Sequence, residues 1–146
     1  MYDAYTQAVI RADGADAAVG GIAGMSDNVI FSKSVVVPDI SVEADSGASA
    51  VGGITGSLSS DDLNKAFDFG QLIPLYYGIY QADVQGGRIQ LTTEDGNADL
   101  SLGGITGINS KASIYYANAA SQLKLSGGKN ASAGGAAGRT AVFWCM

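Results

Sequence analysis

The stretch Gly52-Gly53-Ile54-Thr55-Gly56 decides the fold of this chain, because the sequence contains it in four versions. These four versions, which we call the Gly-Gly phrases, are Gly20-Gly21-Ile22-Ala23-Gly24, Gly52-Gly53-Ile54-Thr55-Gly56, Gly103-Gly104-Ile105-Thr106-Gly107 and Gly134-Gly135-Ala136-Ala137-Gly138. Their first glycines, at positions 20, 52, 103 and 134, are 32, 51 and 31 residues apart. Such spacing is typical of stacked repeat proteins, in which each unit buries its apolar face against its neighbours.

Each phrase lies between two strand-like segments. The upstream segments alternate apolar and polar residues, and they are Ala8–Arg11, Ile40–Glu43, Ile89–Thr92 and Leu123–Ser126. The downstream segments are rich in β-branched or aromatic residues, and they are Asn28–Ser32, Leu75–Gly78, Ser113–Ala117 and Ala141–Cys145. Three short strands and three turns in about thirty residues predict one coil of a parallel β-solenoid, or β-helix. We expect one all-β domain over residues 1–146 with about four coils, in units near 5–34, 35–84, 85–120 and 121–146.

The longer gap between the second and third phrases contains a helix-start pattern. Ser60 is followed by two aspartates, which suit the free N–H groups and the dipole at a helix N-terminus. Leu63, Ala66 and Phe67 would share one helix face, and Gly70 would end the helix. The pattern predicts a short helical insertion over residues 59–70.

The glycine pairs are predicted to be structural. A sharp corner calls for φ > 0, which glycine adopts without steric cost, and a side chain there would collide with its copy in the next coil. The predicted structural glycines are Gly20, Gly21, Gly52, Gly53, Gly103, Gly104, Gly134 and Gly135. The residue after each pair is expected to point inward, and the next residue, such as Thr55 or Thr106, to point outward. The expected inward column is Ile22, Ile54, Ile105 and Ala136.

Composition argues against several functional classes. The net charge is −6 and the eight basic residues are scattered, so a nucleic-acid backbone would be repelled. No histidine is present, which removes the common catalytic triads and most zinc sites. We therefore expect no enzyme activity, no cofactor and no metal site. No apolar run reaches the ~20 residues of a membrane span, and residues 1–6 do not resemble a signal peptide. The chain is therefore expected to be cytosolic, secreted by another route, or a mature or excised piece.

Acidic turns and tyrosines leave an alternative open. Stacked turns would align Asp13/Asp16, Glu43/Asp45 and Glu94/Asp95/Asp99 into an acidic ridge. That ridge is interpreted as solvated turns, with weak divalent-cation binding or catalytic carboxylates as alternatives. The aromatic residues either form a sugar platform or, as we favour, a stacked ladder. They are Tyr76, Tyr77, Tyr80, Tyr115, Tyr116 and Trp144.

The phrase Gly103-Gly104-Ile105-Thr106-Gly107, followed by Ile114-Tyr115-Tyr116-Ala117, resembles the GLUG-motif repeat of bacterial surface and secreted proteins. The resemblance covers most of the chain in four copies, and the fourth departs from it with Ala136 in the aliphatic position. It implies a β-solenoid stalk on a cell surface and supplies no catalytic residue.

The sequence therefore predicts a non-enzymatic structural or adhesive module of an extracellular surface protein, or a self-assembling fibre. The alternative is a β-helix that binds or cleaves carbohydrate with its acidic turns. An ice-binding array is set aside, because Ala23 and Ala137 interrupt the threonines at Thr55 and Thr106. The expected partners are end-to-end copies, flanking repeats of a longer chain, surface glycans or a host receptor, with neither nucleic acid nor membrane insertion. The predicted assembly edge is Val142, Phe143 and Trp144. Next to it, Cys145 is predicted to be a buried structural thiol, with intermolecular pairing or a reactive nucleophile as the alternatives.

Overall fold

The protein is seen in a computed structural model that describes residues 1–61, 66–67 and 75–141. These residues form strands and turns, and no helix occurs among them, so the predicted all-β class is confirmed. The strands are β1 Tyr5–Gly14, β2 Ala18–Gly20, β3 Ala23–Asp27, β4 Ile30–Ser32, β5 Val35–Ala44, β6 Ala48–Gly52, β7 Thr55–Ser59, β8 Ala66–Phe67, β9 Leu75–Tyr76, β10 Gly78–Tyr80, β11 Asp83–Val84, β12 Arg88–Thr93, β13 Asp99–Gly103, β14 Thr106–Ser110, β15 Ser113–Tyr115, β16 Asn118–Ala119, β17 Gln122–Ser126, β18 Asn130–Gly134 and β19 Ala137–Ala141.

The strands assemble into four parallel sheets. The first sheet contains β1, β5, β11, β12, β16 and β17, and the second contains β2, β6, β13 and β18. The third contains β3, β7, β14 and β19, and the fourth contains β4, β10 and β15. The chain visits the sheets in the same order three times and, in its described residues, the first three sheets a fourth time, so we define four units: β1–β4, β5–β10, β11–β15 and β16–β19. Each unit adds its strands beside those of the previous unit.

Two apolar clusters fill the space between the sheets. In β5, alternate residues are buried, as expected for a strand with one face on the core. Val36, in the first half of β5, packs in a cluster with Ile54 and Ile105 of the Gly-Gly phrases. Ile40 and Val42, in its second half, pack with the second sheet; this cluster comprises Ile40, Val42, Ala44, Val51, Ile89, Leu91, Ala98, Leu100 and Leu102. Because these residues come from neighbouring units, the core is continuous from one unit to the next.

The predicted helical insertion over residues 59–70 is wrong for the part that is described. Ser59 ends β7, and Ala66–Phe67 forms strand β8, which pairs antiparallel with Leu75–Tyr76 of β9. A helix of two turns is marginal without tertiary support, and phenylalanine favours strands, so strand pairing prevails over the capping pattern. The remaining residues of that prediction, 62–65 and 68–70, lie outside the described residues.

The downstream strand of the second unit also differs from its predicted position. Gly78–Tyr80, rather than Leu75–Gly78, pairs with Ile30–Ser32 on one side and Ser113–Tyr115 on the other. Tyr80 is therefore the counterpart of Tyr115, and Tyr76 belongs to the antiparallel pair. The prediction aligned Tyr76-Tyr77 with Tyr115-Tyr116 by residue type. The strands instead pair so that the buried residues Phe31 and Ile79 lie side by side.

Candidate functional site

The first glycines of the four Gly-Gly phrases lie directly beside one another in the second sheet. Gly20 pairs with Gly52, Gly52 with Gly103, and Gly103 with Gly134. A Cβ atom on Gly52 would come within 2.5 Å of the Thr106 Cα atom of the next unit. Backbone cannot move away from such a contact as a flexible side chain can, so this position requires glycine.

Of the two predicted reasons for these glycines, a left-handed corner and a collision with the next unit, only the collision is supported. None of the eight predicted glycines has a positive φ; positive values occur instead at glycines such as Gly86 and Gly87 and at residues such as Lys33, Gln81 and Tyr116. Seven of the eight glycines, all except Gly135, are therefore needed for close backbone approach and not for a left-handed corner. A third glycine in each phrase, which the sequence analysis did not single out, plays a similar role: a Cβ atom on Gly56 would lie 2.5 Å from the Val19 nitrogen.

The second glycines of the phrases have different surroundings in the first three units and in the fourth unit. A Cβ atom on Gly21 would lie 2.5 Å from the Gly53 carbonyl oxygen of the next unit. Gly53 stands in the same way against the Gly104 carbonyl, and Gly104 against the Gly135 carbonyl. At Gly135 the same atom would have nothing within 4 Å of it in the described part of the chain.

The predicted inward column is buried at Ile54 and Ile105, whereas Ile22 is half-buried and Ala136 is exposed, and the threonines beside the column are buried too. Ile54 is 0% exposed and Ile105 is 1% exposed, and backbone hydrogen bonds link Ile22, Ile54, Ile105 and Ala136 in series. The expectation that Thr55 and Thr106 point outward is wrong, since both are 0% exposed. The Thr55 hydroxyl donates to the Ser57 carbonyl at 3.0 Å, and that of Thr106 donates to the Ile108 carbonyl at 2.8 Å. These local hydrogen bonds let the hydroxyl be buried without an unpaired polar atom.

Several acidic turn residues hold the turns together. The Ala48 amide donates to the Asp16 carboxylate at 2.8 Å, across the step from the first unit to the second. Asn130 donates to Asp99 at 2.7 Å across the step from the third to the fourth. Within its own turn, Asp95 accepts from the Asn97 amide at 2.9 Å. In the described residues, no three acidic or sulfur side chains converge as a metal-binding group would.

An open groove of about 760 Å³ lies on the outer face of the first sheet. Val84 of the third unit pairs with Val36 of the second, and Arg88 pairs with Asp39, but the third unit has one more residue between the two paired positions. Gly86 and Gly87 accommodate the extra residue with φ of 57° and 69°. This local bulge interrupts the sheet beside the groove. The groove is lined by Gln7, Val9, Val37, Pro38, Asp39, Gly87, Arg88 and Gln122.

Asp39, on the groove wall, links three units through charge. It lies 3.2 Å from Arg11 of the first unit and 3.3 Å from Arg88 of the third. The Arg11 guanidinium lowers the pKa of the Asp39 carboxyl from its usual value, and Arg88 acts in the same direction. Sequence analysis missed this cluster, although aligning the strands on Ile40 and Ile89 places Asp39 and Arg88 at the same position.

A second surface feature is a patch of tyrosines beside the fourth sheet. The rings of Tyr80 and Tyr115 are 6.5 Å apart, and those of Tyr115 and Tyr116 meet edge to face at 4.7 Å. Tyr115 and Tyr116 are 56% and 76% exposed. Of the residues in the predicted aromatic ladder, Tyr80 and Tyr115 lie side by side on paired strands. Trp144 lies outside the described residues.

The third feature is the pair of end faces of the stack. We call the free edges of β1, β2 and β3 the first-unit face, and the free edges of β17, β18 and β19 the fourth-unit face; each of these strands has a neighbour on one side only among the described residues. The exposed large hydrophobic residues concentrate on the first unit, and they are Met1, Tyr2, Tyr5, Val9, Met25, Tyr115 and Tyr116. The predicted assembly edge of Val142, Phe143 and Trp144, with Cys145, lies outside the described residues.

No protein-family model, curated protein or solved structure matches this chain. Among the described residues there is no helix with the length and apolar character needed to cross a membrane.

Proposed function

We propose that the four units are successive coils of one β-solenoid. In this proposal the chain is a non-enzymatic structural or adhesive module of an extracellular surface protein, or a subunit of a self-assembling fibre. The observation that carries it is the register of the Gly-Gly phrases, in which Gly20, Gly52, Gly103 and Gly134 lie side by side. A stack that grows by one set of strands per unit serves as a spacer, since its length follows from the number of units.

The two end faces support a role in association. Unpaired strand edges are ready templates for pairing with another chain, through main-chain hydrogen bonds. On the fourth-unit face, Ala133 and Ala136 are exposed, whereas their counterparts Leu102 and Ile105 in the third unit are buried. A further unit, from a second copy or from flanking repeats, would cover these positions.

The acidic turns support the structural proposal over the catalytic alternative. The carboxylates of Asp16 and Asp99 accept hydrogen bonds that link neighbouring units, so they have a structural task. The resemblance to GLUG-motif repeats supports an extracellular or cell-surface location, which remains part of the proposal.

Small-angle X-ray scattering on one chain and on two chains fused in tandem tests the solenoid. A stack should lengthen along one axis by about 19 Å per chain, from four strand spacings of ~4.8 Å. A tandem protein that grows in all directions, as two separate globules on a linker would, contradicts the solenoid. Release of reducing ends from a panel of polysaccharides, lost on Glu43→Gln or Glu94→Gln substitution, would contradict the non-enzymatic role.

Glycan binding at the tyrosine patch is a second candidate function. It is favoured by the exposed, adjoining rings of Tyr115 and Tyr116, because aromatic faces offer apolar contact area and a polar hydroxyl together. Binding of the chain to a glycan array tests it, with Tyr115→Ala/Tyr116→Ala as the variant and Tyr2→Ala/Tyr5→Ala as the matched control. Signal lost only in the first pair supports the patch, and signal equal in both pairs contradicts it.

A further inference from the structure

The two end faces carry opposite charge. All fourteen acidic residues of the chain lie between Asp3 and Asp99. The fourth unit, residues 118–141, has three basic residues and no acidic one, whereas residues 1–34 have four acidic and two basic residues. We infer that the fourth-unit face binds the first-unit face of a second copy, head to tail. This inference rests on the proposed function and names its partner.

Continuing the existing register beyond the fourth unit predicts which residues meet. Between units, Ile10, Ile40, Ile89 and Leu123 share one position in the first sheet, and Gly20, Gly52, Gly103 and Gly134 share one in the second. In the third sheet, Ala23, Thr55, Thr106 and Ala137 do the same. The first unit of a second copy would therefore place its Ile10 opposite Leu123, its Gly20 opposite Gly134 and its Ala23 opposite Ala137.

In this register each basic residue of the fourth unit lies near a carboxylate of the second copy. Lys124 would lie opposite Arg11 of the second copy. Asp13 of that copy is two residues further along the strand, on the same outward face. Lys129 adjoins Asn130, which lies opposite Asp16 of the second copy. Arg139 is opposite Met25 of the second copy and one diagonal step from its Asp27.

The molecule already contains one diagonal ion pair between units, although it steps two residues toward the N-terminus of the neighbouring strand, whereas the pairs of Lys124 and Arg139 would step two residues toward the C-terminus. Arg11 is opposite Ser41 in the register, and it reaches Asp39, two residues earlier, at 3.2 Å. The predicted head-to-tail register opposes one like-charged pair, Lys124 and Arg11 of the second copy. There the Arg11 guanidinium is held by both Asp39 oxygens, which reduces the repulsion.

Gly135 is an independent observation that points to the same partner. Its counterparts Gly21, Gly53 and Gly104 each stand against a carbonyl oxygen of the next unit, and a Cβ atom would collide there. Gly135 has nothing within 4 Å among the described residues, so these residues place no steric demand for glycine there. Stacking of a second copy would bring the carbonyl of its Gly21 to this position and restore the demand.

A head-to-tail contact uses two different surfaces, so it propagates into an open filament unless the geometry closes a ring. Charge complementarity of this kind also favours the head-to-tail orientation over the two like-to-like orientations. Val9 and Met25 are exposed on the first-unit face. Their burial in the contact would add an apolar contribution to binding.

Sedimentation velocity of the full chain at rising concentration, in about 0.05 and about 0.5 M NaCl, tests the inference. We expect concentration-dependent assembly that weakens at the higher salt. Asp13→Lys/Asp27→Lys and Lys124→Glu/Arg139→Glu should each stay monomeric alone, because each carries like charges on both faces; Asp16 is left unchanged because its carboxylate links the first two units. An equal mixture of the two should assemble again. A matched control, Glu43→Lys/Glu94→Lys, changes net charge as much as Asp13→Lys/Asp27→Lys does, but within the interior units, and should still assemble.

Gly135→Ala keeps the test independent of charge. It should leave the unfolding midpoint unchanged and weaken assembly by about tenfold or more, whereas Gly104→Ala should lower the midpoint. A parent chain that stays monomeric overturns the inference, as do a mixture of charge variants that fails to assemble and an unaffected Gly135→Ala. The scattering and polysaccharide experiments give results that do not depend on assembly, so a failure of this inference can be distinguished from a failure of the proposed function. A monomeric parent would instead favour flanking repeats of a longer chain as the partner of the fourth-unit face.

Discussion

The third and fourth units contain nearly the same phrase and bury it to different degrees. In the third, Ile105 is 1% exposed between its two neighbours, whereas in the fourth Ala136 occupies the same position and is exposed. The same holds for Leu102, which is 0% exposed, and its counterpart Ala133. A unit's interior is therefore completed by the unit that follows it, and the phrase alone does not bury its residues. Stability in this molecule is shared between neighbours.

The strongest test of this difference is an acidic substitution at the same position in an interior unit and in the fourth unit. Ile54→Asp places an unpaired carboxylate where the parent side chain is 0% exposed, and it should reduce the free energy of unfolding by about 4 kcal/mol or more. Ala136→Asp should cost under about 1 kcal/mol, because water reaches that position. Urea unfolding at low protein concentration measures both. Equal losses would mean that burial does not distinguish the two units.

A smaller effect is expected for a methyl group at a glycine of the second sheet. Gly52→Ala would place a Cβ atom 2.5 Å from the Thr106 Cα atom, so one of the two units must shift. We expect a loss of about 2 kcal/mol, in the range of overpacked interiors. Gly96→Ala is the control, since no atom of the described residues would lie within 4 Å of its Cβ atom, and it should change stability by less than about 0.5 kcal/mol. A tolerant Gly52 would show that the units are less closely apposed than this distance implies.

The repeat could be predicted from sequence because it is a property of period and residue size. Four phrases at comparable spacing indicate parallel stacking, and the sheets confirm the all-β, parallel arrangement. The inward position of Ile54 and Ile105 followed from the same alignment. These features depend on what the units share.

The errors arose where a local pattern competed with stacking. Ser60 and the aspartates after it predicted a helix, yet Ala66–Phe67 pairs as a strand with Leu75–Tyr76. Thr55 was expected to point outward because it follows the inward-pointing Ile54, but it is buried and its hydroxyl donates to the Ser57 carbonyl. Asp39 was overlooked, because its partners Arg11 and Arg88 are 28 and 49 residues away and only the register brings them together.

The buried threonine gives a third prediction. Thr55→Val keeps the shape of the side chain but removes a hydroxyl that donates to Ser57 and lies 3.2 Å from the Ser26 hydroxyl. The free energy of unfolding should fall by about 1–2 kcal/mol, since these polar groups lose a partner in a buried site. Thr140→Val, at an exposed position of the fourth unit, should be neutral within about 0.5 kcal/mol. Thermal unfolding of the two variants side by side separates interior from terminal behaviour, and matched midpoints would contradict it.

The smallest expected effect concerns the charge link between the first unit and the interior. Because the pKa of Asp39 is lowered in the folded chain, its ion pairs stabilise the fold above the ordinary carboxyl pKa. That contribution is lost as pH falls through the lowered value. Asp39 and both arginines are substantially exposed, so solvent screens the pairs and the global loss should be small.

The effect of Asp39 should instead be local, because Arg11 belongs to the first unit, which has a neighbour on one side only. Hydrogen-exchange protection of the β1 amides should decrease on Asp39→Asn at neutral pH, while protection in β13 of the third unit stays unchanged. Acidification below the carboxyl pKa should reduce β1 protection in the parent and leave the variant nearly unaffected, relative to β13. Glu43→Gln, on the same strand, is the control and should leave β1 protection unchanged. Equal loss of protection in β1 and β13 would show that the charge link acts on the whole stack and that the first unit is no less firmly held than the interior.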